Sequence, residues 1–421
     1  MFATLSAKPG NSLAMPRMLI NACLLFAVMI IAWSPFSGGA RLPTLLLAIV
    51  GAGLFLAKFS DLSKQLAVRR WTTVFLLLWL PMWLSLQHAF DVKATLAAIA
   101  WFSLMYLAGL ALVVLLQQAA YRRLFARGVS WVIALWILDS AIQYLFGLDV
   151  LGMPKTPEGR ITGMFSDLHQ GILMLAVLPL TFYHLQPKHG WLAWAMLLGA
   201  GVVVVLSGAR GYLYIYMLML LLGLWRQQPG WKVWLAVLCI PLLITLCSSM
   251  LNPQLAKTKF QATQAVAASE QSTFDRVNHA LTYRLNLWET GLHMWQAEPV
   301  TGIGSNNYKH AYAQYASRAD DRFVARRTHS HNIYVEWLAE TGLVGGLGLV
   351  AIVVLCVRWF RQADMLSQHQ AWPYALPLMV IYFPVNTTQP MLVPWWFPVL
   401  MLLACAFVAS LERSSSHDSA A

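Results

Sequence analysis

Charge is scarce in this chain: Asp, Glu, Lys and Arg make up 11% of its 421 residues, whereas 59% are hydrophobic. Soluble domains carry about 25% charged and about 45 to 50% apolar residues, so an ordinary water-facing surface is excluded. Acidic side chains are the rarer sign, 17 against 29 Lys and Arg. They form no Asp-x-Asp pair and no His-Glu-x-x-His signature, so neither a metal nor another cofactor is expected. The adjacent Asp320 and Asp321 stand among Arg318, Arg322, Arg326 and Arg327 and read as a charge-paired loop. Cysteine is equally sparse. Cys23, Cys239, Cys247, Cys356 and Cys405 all fall in apolar runs without Cys-x-x-Cys spacing, which excludes a disulfide framework or a zinc ribbon and leaves packing as their role.

What is present is a nearly end-to-end succession of apolar runs, each long enough to cross a hydrocarbon core of roughly 30 Å as a helix. Barrel strands would instead alternate over about ten residues. The expected fold is an all-α polytopic membrane protein with about 12 transmembrane helices. The spans lie near 18–33, 42–57, 71–86, 94–116, 129–147, 169–185, 191–207, 211–225, 232–250, 331–357, 371–387 and 392–411. The chain then divides into 1–250 with spans one to nine, a polar loop over 251–330, and 331–421 with the last three spans and a short tail. Trp33-Ser34-Pro35-Phe36 follows the first span where a cleavage site would need small residues, so that span reads as a signal anchor.

Lys and Arg are unevenly distributed between alternate loops. With a cytoplasmic N-terminus, fifteen fall on the cytoplasmic side, and only Arg41, Lys93, Lys155, Arg160 and Arg210 fall in the opposite short loops. The positive-inside rule therefore predicts cytoplasmic termini and an extracytoplasmic 251–330 loop. The net charge of +12 follows from this topology, and no nucleic-acid partner is expected.

Several groups converge on the extracytoplasmic side in that frame. Arg160 precedes span six, and Arg210 lies in Ser207-Gly208-Ala209-Arg210-Gly211 at the start of span eight, where free helix N–H groups favour an anion. Arg284 begins the amphipathic stretch Tyr283-Arg284-Leu285-Asn286-Leu287-Trp288-Glu289 in the loop. Each could be ordinary alone, since an arginine at a membrane boundary commonly snorkels to the headgroups and a loop arginine commonly lies on a solvated face. Together they suit a phosphate or pyrophosphate, which guanidinium binds bidentately while staying charged.

Of the 11 histidines, most sit where a hydrated surface is the default role. His329 and His331 instead stand where the loop runs into span ten, and a neutral imidazole there can accept a proton. As helical positions His331, Tyr334 and Leu338 would share a face, with Asn332 and Glu336 on a neighbouring one. Glu336 and Glu340 are expected to pair with a loop arginine or to hydrogen-bond inside the bundle, because unpaired carboxylates at that depth are costly. Most Trp and Tyr side chains, including those of Pro394-Trp395-Trp396-Phe397-Pro398, read as interface anchors.

Four ordered motifs carry a family resemblance. They are Arg160-x-Thr162-Gly163-x-Phe165, Ser207-Gly208-Ala209-Arg210-Gly211, Tyr283-Arg284-x-x-x-Trp288 with Pro299-x-x-Gly302-x-Gly304, and His331-Asn332-x-Tyr334 with Gly342 and Gly345. From about 155 to 350 the chain resembles the bacterial O-antigen ligase and polymerase superfamily of multi-spanning membrane glycosyltransferases, and its architecture resembles that of GT-C-type enzymes. Where the family often has an asparagine after the Thr-Gly-x-Phe segment, this chain has Asp167-Leu168-His169.

Within the superfamily the resemblance is greatest to the ligase branch. It implies an inverting, metal-independent transferase of the bacterial inner membrane with a periplasmic site. The donor would be O-antigen on undecaprenyl diphosphate, the acceptor the lipid A-core oligosaccharide, and membrane lipids the surroundings. His331 would be the general base and Arg160, Arg210 and Arg284 the diphosphate clamp, with His329, Asn332, Tyr334 and Glu336 in support. Arginines near His331 would lower its pKa and keep its acceptor nitrogen free. Rival readings are an O-antigen polymerase, a protein O-oligosaccharyltransferase and a lipid-linked glycan transporter. A transporter would more often show repeated halves with polar, broken helices at mid-membrane.

Overall fold

The computed structural model describes residues 15–36, 38–228, 230–231, 234–235, 239, 246, 250, 257, 273–318, 321–326, 328–383, 389–393 and 395–412. Among these residues the chain is helical, with a single isolated bridge between Leu148 and Pro154. The helices are α1 (Arg17–Ala32), α2 (Arg41–Leu62), α3 (Leu66–Leu84), α4 (Val92–Leu116), α5 (Ala119–Phe146), α6 (His169–Leu185), α7 (Gly190–Leu206) and α8 (Arg210–Gln227). They continue with α9 (Thr273–Ala280), α10 (Arg284–Ala297), α11 (Tyr308–Tyr315), α12 (Ile333–Gln362), α13 (Met365–Ile381) and α14 (Phe397–Ser410).

Every expected span overlaps one of these helices except the one near 232–250, most of which lies outside the described residues. Four helices, α2, α4, α5 and α12, are long and apolar enough to cross a membrane. The other described helices that overlap expected spans are shorter or less apolar, and several hold internal prolines: Pro81 in α3, Pro179 in α6, Pro373 and Pro377 in α13. Local chemistry marks the boundaries. Asp91 and Asp364 cap α4 and α13 by accepting from Ala94 N and Ser367 N at 3.0 and 2.9 Å, and Gly147 ends α5 in the left-handed conformation.

Burial separates the helices into two kinds. Residues 170–182 of α6 and almost all of α14 are enclosed, as befits helices that are apolar all round. Helices α2 and α12 instead leave Ile49, Leu56, Leu347, Val350 and Val354 uncovered. Apolar faces of that extent suit lipid, and the protein is membrane-embedded.

The described part of the polar loop is not featureless. Leu287, Met294, Ile303, Tyr308, Ala311 and Tyr312 join Ala339 of α12 in a small core of their own. Ala339 of α12 thus joins this cap, whereas Ile333 and Trp337 of the same first turns pack in the main core, and α12 also packs with α3 in the bundle. The joint in α12 is Gly342, where the helix leaves helical geometry at φ 62°, ψ −162°.

Candidate functional site

A helix interrupted inside a protein must find new partners for the N–H and C=O groups that the break releases. At Gly342 the Pro299–Gly304 loop supplies them. Leu343 N and Val344 N donate to Pro299 O and Val300 O at 2.9 and 3.2 Å, and Ala339 O and Glu340 O accept from Ile303 N and Gly304 N at 3.0 and 3.1 Å. Contact this close excludes side chains. A Cβ on Gly342 would lie 2.3 Å from Val300 C and O, and one on Gly302 would lie 2.3 Å from Glu340 C. The Pro-x-x-Gly-x-Gly motif and Gly342 are thus two halves of one backbone joint. Buried Glu340 completes it, its carboxylate accepting from Asn306 N at 2.7 Å and Tyr308 N at 3.0 Å.

The histidines lie just before α12. The expectation that His331 occupies a helical position is corrected by the structure: its φ is 53°, and the helix starts at Ile333 with Asn332 as N-cap. Asn332 Oδ1 accepts from Tyr334 N at 3.0 Å and Val335 N at 3.3 Å. That cap competes with a helical His331 and turns its side chain off the helix face. Glu336 reaches back to the turn, accepting from Ser330 N at 2.9 Å with the Ser330 hydroxyl 3.0 Å away. Glu336 and Glu340 therefore take the second of their two expected roles, hydrogen-bonding rather than pairing with arginine. The Tyr334 hydroxyl donates to Tyr382 O and so ties the start of α12 to the end of α13.

Arg284 is brought to the same place from α10. Thr282 and Tyr283 precede it with φ of 56° and 65°, an uncommon pair of left-handed residues that swings the helix start inward. One turn later Trp288 Nε1 donates to Ser330 O at 3.1 Å, fastening the arginine's helix to the histidine turn. The rings of His329 and His331 lie 4.0 Å apart, and His331 N donates to His329 Nδ1 at 3.3 Å.

The Arg160 segment is fixed by α5. Gln143 Oε1 accepts from Thr162 N and Gly163 N at 2.8 and 2.9 Å, and Phe165 packs edge-on against Trp136. Ile161 N donates to Leu206 O at 3.4 Å, which puts the segment beside the end of α7 and hence beside the start of α8 at Arg210. Arg160 Nε is buried without a hydrogen-bond partner, an unmet donor on the same end of the bundle. The Arg210 side chain lies outside what the structure describes.

Electrostatics link His329, His331, His169 and Arg284, and do not extend to Arg160. Burial, then Arg284 and His169, push the His331 pKa down to about 4. Burial, then His331, His169 and Arg284, push that of His329 down to about 3. Arginine does lower the histidine pKa as expected, but desolvation is the larger cause. Burial likewise pulls the Arg284 pKa below its ordinary value. Both shifts favour neutral imidazoles near pH 7 beside a partly desolvated guanidinium, and the Nδ1 lone pair of His329 is already engaged by His331 N.

Sequence reasoning did not number His169 among the site residues. Its ring Nδ1 lies 2.5 Å from Asp167 Oδ1, and Trp395 stacks on it at 4.0 Å. The available signal was the departure Asp167-Leu168-His169 itself, an acid and an imidazole two residues apart at the start of a span. The expected charge-paired loop is also redistributed among the described residues. Asp321 accepts from the Tyr312 hydroxyl at 2.6 Å, Arg318 pairs with Glu289 at 3.0 Å, and Arg322 stacks over Tyr283. Asp320 and Arg327 lie outside the described residues.

Comparison with known proteins gives a family likeness. Residues 194–350, which run from α7 through the backbone joint in α12, match the family described as O-antigen ligase. A relative, the exopolysaccharide production protein ExoQ of Rhizobium meliloti (strain 1021), is 23% identical over 283 residues. That match covers 57% of this chain and 63% of ExoQ, so the chain spans less than two thirds of the relative's length. The family resemblance is therefore shown, and over residues 194–350, the segment that holds Arg210, Arg284 and His331 and leaves out the Arg160 motif, the chain is similar to the membrane glycosyltransferase-like proteins of the O-antigen ligase family.

Proposed function

We propose that the chain is an O-antigen ligase, transferring a glycan from undecaprenyl diphosphate to the lipid A-core oligosaccharide on the periplasmic face of a bacterial inner membrane. The observation that carries this reading is the convergence of His331 and Arg284 at one end of a membrane-embedded bundle, fastened by the Trp288 to Ser330 hydrogen bond. His331 is the general base that takes the proton of the attacking sugar hydroxyl. Arg284, with Arg210 and Arg160 at the same end, balances the charge that develops on the diphosphate as the anomeric C–O bond breaks. Preorganised cations in a partly dry site supply that stabilisation without a proton or a divalent metal. Attack opposite the leaving group inverts the anomeric centre.

The direct test is deletion of the gene in a bacterium that makes O-antigen, followed by gel analysis of its lipopolysaccharide. Bare core lipid together with long polymer retained on undecaprenyl diphosphate is the expected result. ExoQ is named for exopolysaccharide production, which favours as second reading a polymerase that shares donor, clamp and base but extends a lipid-linked chain. Core bearing a single repeat unit would mark that polymerase, and unchanged lipopolysaccharide would sink both readings.

A further inference from the structure

The half of the bundle away from the histidine turn holds a groove that takes no part in the transfer proposed above. It runs between α6, α7, α8 and α13, measures about 450 Å3 with its open side included, and has Leu178, Phe182, Leu197, Leu220, Leu224 and Leu376 in its walls. Tyr183 and Gln227, in the last turns of α6 and α8, give it one polar end. Both helices begin beside the candidate site, at His169 and Arg210, so the polar end is the far one. Trp191 and Trp225, exposed where α7 begins and α8 ends, mark headgroup depth there.

That end presents a cation and a donor with nothing to bind. The Arg226 guanidinium stacks over Phe360 and Trp372, 5.3 and 5.0 Å from the ring centroids, which occupies its faces and leaves its N–H edge open. Among the described residues Arg226 makes no hydrogen bond or ion pair, and α6, α7, α8 and α13 contain no Asp or Glu to offer one. Tyr183 is fastened to the same indole. Its hydroxyl accepts from Trp372 Nε1 at 2.9 Å and from Gln227 Nε2 at 3.3 Å. Both lone pairs are then taken, and the Tyr183 O–H proton has no acceptor among the described residues. An apolar trough that ends in unmet donors and one positive charge fits a molecule with a hydrocarbon tail and an anionic, oxygen-rich head, which the membrane supplies in its own phospholipids.

We propose that this groove binds one anionic phospholipid of the surrounding membrane, an acyl chain lying along α6, α7 and α8 and the phosphate oxygens accepting from Arg226 and the Tyr183 hydroxyl. Basic pockets between membrane helices recognise anionic headgroups in this way. Because Phe360 and Trp372 seat the arginine, the bound lipid fastens α8, the helix that begins at Arg210, to α12 and α13.

The test titrates the purified, delipidated full chain in detergent with palmitoyl-oleoyl phosphatidylglycerol or the matching phosphatidylcholine, reading bound lipid by native mass spectrometry. Wild type should bind phosphatidylglycerol about fivefold tighter, and Arg226→Gln should remove that preference. Arg69→Gln, which deletes an exposed charge outside the groove, should leave it intact. Gly223→Leu fills the groove from α8, since a Cβ there meets only Leu376 Cδ2 at 3.6 Å, and should weaken both lipids about tenfold. Tyr183→Phe should weaken phosphatidylglycerol alone, by about threefold. Equal affinity of wild type for the two lipids, or the same loss in Arg69→Gln as in Arg226→Gln, overturns the phosphate assignment. Undiminished lipid binding in Gly223→Leu overturns the groove, and a lipid-independent dimer that this variant dissociates would give the groove to a second copy instead. Should Gly223→Leu fail to fold, unchanged phosphatidylglycerol affinity in both Arg226→Gln and Tyr183→Phe overturns the proposal, and the losses stated above uphold it.

Discussion

Two stretches at the start of α12 hold their partners by opposite means. Around Gly342 the holding is done by backbone: four main-chain hydrogen bonds run between the broken helix and the Pro299–Gly304 loop, and no Cβ fits between them. Around His331 it is done by side chains, with Glu336, Ser330, Asn332 and Trp288 each contributing a polar atom. A backbone joint is indifferent to side-chain chemistry and intolerant of volume. A side-chain network is the reverse. The first decides where the histidine turn stands relative to the bundle, and the second decides which way the imidazole faces.

The sharpest way to break this contrast is Gly342→Ala. The residue sits at φ 62°, ψ −162°, a region essentially restricted to glycine, and its new Cβ would meet Val300 backbone at 2.3 Å. Strain and backbone overlap together should cost roughly 3 kcal/mol or more, so folded protein in membranes should largely disappear. Melting and yield in detergent measure it, and wild-type values for both would end the account of the joint.

His331→Ala should do the opposite, leaving abundance and melting unchanged and lowering transfer by about 10² to 10⁴. His329→Ala should be milder, since its acceptor nitrogen is engaged by the His331 backbone. Transfer rates at equal abundance distinguish the two, and a near-normal His331→Ala enzyme would remove the base assignment.

Arg210→Lys separates a diphosphate grip from headgroup snorkelling. Lysine keeps the charge but loses the paired N–H fork, so a grip predicts a fall of about tenfold in transfer, and snorkelling predicts none. Donor-concentration dependence of the rate is the measurement.

Glu336→Gln and Glu336→Ala sharpen the side-chain half of the contrast. Gln retains an acceptor for Ser330 N and should stay within a few-fold of wild type, whereas Ala releases the turn and should lower kcat by about tenfold with little change in melting. Equal behaviour of the two variants would mean that Glu336 does not hold the turn.

The smallest effect is in pH dependence. The His331 and His329 pKa values are pushed down to about 4 and about 3 from an ordinary 6.5. Below 6.5 the unfolded chain therefore binds more protons at these rings than the folded one. Their contribution to stability is full above about pH 6.5 and declines as pH falls toward 4. The acid limb of kcat/KM, which reports the free enzyme, should likewise lie well below pH 6. Melting between pH 7 and 4.5 should fall less steeply in His329→Gln than in wild type, and identical slopes would show that His329 is hydrated.

Most of the helices and the ingredients of the site were legible in the sequence, because apolar length and composition are local properties that need no knowledge of neighbours. The same holds for Arg284, His331 and the glycine motif as residue types in order. What local pattern could not show was geometry made by contacts distant along the chain. The left-handed His331 depends on Asn332 capping and on Glu336 reaching back. The meaning of Gly302 depends on Gly342. His169 reads as an ordinary helix start until Trp395, from the far end of the chain, stacks on it. Sequence alone therefore determined that this is a membrane-embedded helical protein with cationic and imidazole groups near its lipid boundary, since hydropathy and charge act residue by residue. Only the tertiary structure decided which contacts surround the histidines, engaging Nδ1 of His329 and of His169, because hydrogen bonds and burial exist only once the chain has closed around them.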